Sequence, residues 1–193
     1  MRFALFFSAA ALVLVPAASG IESTIYPGVG IGKVRLGMTK AQAERMLGRN
    51  PLQNAQEGAY TEFAWDFATW TVGFEHGRAV QIATTLASQR TKQGIGVGTT
   101  WRALMRAYPG GRCTWNIQGT PSIPRAFWPE YLVGRRGGSQ TLYVFKPVVN
   151  GATPVVDEVV VRTNFRPLRE FQPNWFRCTR DWRHARIPPV RAP

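Results

Sequence analysis

Val34-Arg35-Leu36-Gly37-Met38-Thr39-Lys40-Ala41-Gln42-Ala43-Glu44-Arg45-Met46-Leu47-Gly48 is answered 61 residues later by Ile95-Gly96-Val97-Gly98-Thr99-Thr100-Trp101-Arg102-Ala103-Leu104-Met105-Arg106-Ala107-Tyr108-Pro109. Each copy reads as a short helix with its lead-in. Thr39 and Thr100 are N-cap types, whose hydroxyls accept a bond from a free backbone N–H, and Thr39 with Gln42 completes a capping box. Ala43, Met46 and Leu47 form one apolar stripe; Leu104, Ala107 and Tyr108 form the other. Gly48 and Pro109-Gly110 are stop signals. Gly37 and Gly98 permit a tight turn at positive φ ahead of each helix.

Strand patterns follow each helix. Phe63, Trp65 and Phe67 alternate with Glu62, Ala64 and Asp66, and Trp70, Val72 and Phe74 alternate with Thr69, Thr71 and Gly73. His76-Gly77 supplies a hairpin turn, after which Val80 and Ile82 continue the period. Thr141, Tyr143 and Phe145, then Val159 and Val161, repeat it in the second half. The pattern predicts an α+β fold of two tandem units, each a helix plus an antiparallel meander, at residues 21–93 and 94–165. Residues 114–139, with Pro121, Pro124, Pro129 and the run Gly134-Arg135-Arg136-Gly137-Gly138, read as an exposed loop inserted in the second unit. Residues 166–193 read as a tail rich in Pro, Arg and aromatics.

The first 20 residues, MRFALFFSAAALVLVPAASG, have the order of a cleavable export signal: Arg2, the apolar run Phe3 to Val15, then small residues. The run falls short of the about 20 apolar residues a membrane anchor needs, and no later segment is long and apolar enough to span. The expected localisation is secreted or extracytoplasmic, in a periplasm or cell wall. Two cysteines in an exported chain, Cys113 and Cys178, predict a disulfide that pins the tail. Closing a loop of about 65 residues contributes roughly 4 kcal/mol.

The net charge is +13, from 24 Lys and Arg against 11 Asp and Glu. Inside a cell this would point to nucleic acid; outside it, phospholipid head groups, cell-wall polymers or acidic proteins are the expected partners, or the charge only solubilises.

Catalytic patterns fail on spacing. Gly28 to Lys33 lacks the phosphate-loop pattern. His76 and His184 are the only histidines, which is too few for a zinc site without further ligands. Asp157 and Glu158 are adjacent, so their side chains point to opposite faces of a strand. The sequence therefore implies no cofactor and no metal. An enzyme acting on envelope material through a site near His76, beside Glu75, is the alternative to a binding protein. For binding, the candidate residues are the aromatics and arginines of the insertion: Trp115, Trp128, Tyr131, Arg135 and Arg136. Oligomeric state is left open.

The lead-in resembles the opening of the BamE/SmpA type of outer-membrane assembly lipoprotein, on Val34, Leu36, Gly37, Met38, Thr39, Ala43, Leu47 and Gly48. The tandem arrangement, over about residues 31–163, is more similar to the β-lactamase-inhibitor protein and to exported actinobacterial proteins with this duplicated pattern. The resemblance implies helices on one face of a sheet, with the other face left to bind a protein or a surface. The chain departs from the lipoproteins in having no cysteine at the cleavage point.

Overall fold

In the computed structural model, residues 24–118, 126–134, 138–146 and 154–163 are described. The chain runs β1 (Thr24–Tyr26), β2 (Gly30–Ile31), β3 (Val34–Arg35), α1 (Lys40–Leu47), β4 (Leu52–Glu57), β5 (Tyr60–Trp65), β6 (Trp70–Glu75), β7 (Arg78–Thr84), β8 (Arg90–Thr91), α2 (Trp101–Ala107), β9 (Arg112–Gln118), β10 (Ala126–Gly134), β11 (Gln140–Phe145) and β12 (Val156–Arg162). These strands form a four-stranded sheet, β3-β2-β1-β8, and an eight-stranded sheet, β4-β5-β6-β7-β12-β11-β10-β9.

This corrects the expected α+β fold of helix-plus-meander units. The protein is mostly β: twelve strands in two sheets, with helix confined to eight residues of α1 and seven of α2 among the described residues. Two physical reasons account for the difference. The glycine-rich lead-ins, which read as turns, extend far enough to pair as a second sheet. The proline-rich insertion also pairs, as β9 and β10. Pro129 lies opposite Trp115 of β9, but the ladder to β11 begins only at Glu130. A strand position with a neighbour on one side only can lack an N–H.

The helix starts match the sequence reading closely. Thr39 caps α1 with a full capping box, and Thr100 accepts from Ala103 N to cap α2. Gly37 and Gly98 sit at φ +84° and +83°. Each lead-in then hooks onto the large sheet by the same pair of bonds. Gly37 N donates to Ala79 O and Ala79 N to Met38 O; Gly98 N donates to Val156 O and Val156 N to Thr99 O.

One face of the large sheet, bearing Val72, Phe74, Ile82, Tyr143, Phe145, Val159 and Val161, is the core face. The small sheet, through Ile25, Ile31 and Val34, and the helices, through Ala43, Trp101 and Leu104, pack on it. Trp101 meets Tyr131 edge-on with ring centroids 5.9 Å apart, and Phe145 at 4.9 Å.

Candidate functional site

The second face of the large sheet can be read row by row from the registers. One row runs Glu57, Tyr60, Glu75, Arg78. The next runs Glu62, Gly73, Gln81, Arg162, Gln140. A third is apolar at its centre: Ala83, Val160, Leu142, Leu132. The fourth holds Glu158, Val144 and Glu130. Acidic side chains are thus gathered on this face of a basic protein. Of the other described acids, Glu44 is paired with Lys40 at 3.3 Å and Asp157 with Lys146 at 3.3 Å, and Asp66 lies in the β5–β6 turn.

Glu62 organises the exposed end. Its carboxylate accepts from Asn54 Nδ2 at 2.6 Å, Tyr60 Oη at 2.9 Å and Gln81 Nε2 at 3.4 Å. The Tyr60 ring lies across Gly73, where a Cβ would collide with its hydroxyl. Burial, then the Glu62 charge, holds the Tyr60 phenol well above its ordinary value. Burial, then the charges of Glu62 and Asp157, pushes the Glu158 carboxyl up. Burial pulls the Arg162 guanidinium down, opposed by Glu130. Glu62 and Glu158 are thus like charges on one face of the sheet, on strands separated by β6 and β7. Adjacency on a strand sets Asp157 and Glu158 on opposite faces; the signal that Glu62 and Glu158 share the second face was the polar alternation of Tyr60-Glu62 and Glu158-Val160-Arg162.

A different character marks the end of the molecule at the β5–β6 hairpin. Asp66, Phe67 and Ala68 occupy consecutive left-handed conformations, at φ +47°, +51° and +65°, and nearby Asn50 sits at +66°. Non-glycine residues pay about 1 kcal/mol or more each for this backbone. Phe67 at the tip is 101% exposed and Leu52 is 76% exposed. Leu52 lies opposite Ala64, at the same end of the sheet. Trp65 Nε1 donates to Gly48 O at 2.9 Å, which brings the end of α1, with exposed Arg45, Met46 and Arg49, to this hairpin.

An open cleft of about 580 Å³ lies beside the small sheet, lined among others by Tyr26, Arg90, Lys92, Gln93 and Tyr108. Arg90 is committed to structure there: it donates to Ala87 O at 3.0 Å, Gly94 O at 3.3 Å and Thr99 Oγ1 at 3.1 Å. Among the described residues the lining includes no carboxylate, histidine or cysteine to act with Lys92.

Of the sequence-predicted site, Trp115, Trp128 and Tyr131 fall within the described residues. Tyr131 does not reach the surface as a binding residue; β10 turns it into the core, where its hydroxyl donates to Tyr108 O and accepts from Gly111 N at 3.1 Å. Trp115 lies on β9 and Trp128 on β10, at adjacent register positions. Arg135, Arg136, His184 and Cys178 lie outside the described residues. Cys113 is fully buried on the core face. His76, at φ +50°, and Gly77, at +74°, make the expected two-residue turn between Glu75 and Arg78, and His76 is exposed. Among the described residues no His, Cys, Asp and Glu group is arranged to hold a metal ion, and no helix is long and apolar enough to cross a membrane.

Against known proteins, the chain matches no family model, no curated protein and no solved structure.

Proposed function

We propose that the protein is an exported, non-enzymatic binding protein of the cell envelope or extracellular space, holding a protein or an anionic envelope component. One observation carries this reading. Phe67 is presented to solvent at a hairpin tip on three successive left-handed residues. Backbone strain of this kind persists where the surroundings enforce it, and it concentrates at ligand clamps and active sites. Aromatic anchors flanked by arginines are favoured at interfaces, and Arg45 and Arg49 flank this end. The export reading of residues 1–20 and a disulfide between Cys113 and Cys178 belong to the same proposal. Both fit a small domain built for an oxidising compartment.

The test is to crosslink the mature protein in its native envelope and identify what is captured, then repeat with Phe67→Ser and Leu52→Ser. Loss of a specific capture in the variants, with an unchanged melting temperature, supports the reading. Equal capture by the wild type and both variants would sink it.

A further inference from the structure

The apolar row on the second face of the large sheet is buried as deeply as the core. Ala83, Leu132, Leu142 and Val160 are between 1% and 6% exposed. Glu130 is 8% exposed, and burial is the main cause of the Glu158 shift. The described elements that pack on this sheet, the small sheet and both helices, join the core cluster on the opposite face. Something further must lie over the second face.

We propose that the occupant is the C-terminal segment of the same chain, residues 166–193. Composition argues for it first. The segment carries seven arginines against only Glu170 and Asp181, with Phe171, Trp175, Phe176 and Trp182 among them. An acidic face with an apolar stripe is complemented by a basic strand of aromatics: rings cover the row of Ala83, Val160, Leu142 and Leu132, while arginines meet Glu62, Glu75 and Glu130. Chain path argues for it second. β12 ends at Arg162 in the middle of the sheet, where Thr163 N donates to Val80 O at 2.8 Å. From there to the β9 edge is three strand spacings, about 15 Å. The residues from 164 to 178 span that distance several times over when extended. The inference goes beyond the binding function and is independent of it. It also removes the second face from the surfaces open to an outside partner.

The segment offers trypsin a cleavage site at each arginine that is not followed by proline. The experiment is limited trypsin digestion of the full mature chain, under non-reducing conditions, with cleavage after Arg177 and Arg180 followed by mass spectrometry. Cleavage there is expected to be at least about tenfold slower than in a synthetic peptide of residues 166–193. Trp175→Ser with Trp182→Ser is expected to speed it severalfold and to expose apolar surface to a hydrophobic dye. These two changes lie outside the residues of β1–β12, and circular dichroism will show whether the sheets stay folded. High salt on the unmodified protein provides a second measure, which should also speed cleavage. Digestion as fast as in the free peptide would overturn the inference. So would protection that disappears on dilution, because the occupant would then come from a second copy.

Discussion

The indole N–H of Trp65 donates to the carbonyl of Gly48 across 2.9 Å, and through this bond the end of α1 is fastened to the hairpin that carries Phe67. The carbonyl is the last turn's spare acceptor, which a helix of eight residues cannot satisfy by itself. Trp65→Phe keeps a ring in the core and removes the donor. It is expected to lower stability by about 1–2 kcal/mol, read as a shift in urea midpoint. No shift would mean that the bond does not hold the tip.

The two caps supply a matched comparison. Thr39→Ala and Thr100→Ala should each cost about 1 kcal/mol. The reciprocal bond of the box, from Thr39 N to Gln42 Oε1 at 2.7 Å, survives Thr39→Ala because its donor is backbone, so Gln42→Ala tests it separately and should cost a further few tenths of a kcal/mol to about 1 kcal/mol. An unchanged midpoint for Gln42→Ala in thermal unfolding would show that the box adds nothing to the cap.

How much could be read from the sequence divides along the same line. Caps, lead-in glycines and the His76-Gly77 turn obey local rules, so Thr39, Thr100, Gly37 and Gly98 announced themselves. β9 and β10 did not, because prolines mask a strand whose neighbour is absent on one side. The acidic face was illegible for another reason. Glu62 and Glu158 come to the same face only through the pairing of β7 with β12, and no local window contains both. Tyr131 failed as a surface candidate because alternation fixes which residues share a face but leaves open which face is inward.

Glu158 sets a pH dependence. Its carboxyl is raised in the folded chain by burial, then by Glu62 and Asp157. A raised carboxyl binds its proton more readily folded than unfolded. Its stabilising contribution is therefore full below the unfolded value and is lost as pH rises through the folded one. Glu158→Gln should gain stability relative to wild type at neutral pH, and the gain should shrink in acid. Urea denaturation of both proteins across that range checks the sign; a gain that grows toward acid would contradict it.

The proposed bridge at Cys113 has a direct reading. The intact mass of the exported protein should lack two hydrogens, and reduction should restore them. Reduction or Cys113→Ser should lower stability by roughly 4 kcal/mol if chain entropy dominates. An unchanged mass on reduction would remove the bridge.

The large sheet does not close on itself, and β4 is one of its outer strands, with all six residues exposed. An open border of that kind is a template on which a foreign strand can grow. Here the ladder skips at Asn54, between Gln53 and Ala55, so β4 presents an interrupted row of free groups. The side chains along it are amides and a carboxylate apart from Leu52 and Ala55. The irregularity thus acts as a guard against self-assembly. Deleting Asn54 would straighten the border and is expected to produce more fibrous or sedimenting species than the unmodified chain under the same conditions, read by sedimentation.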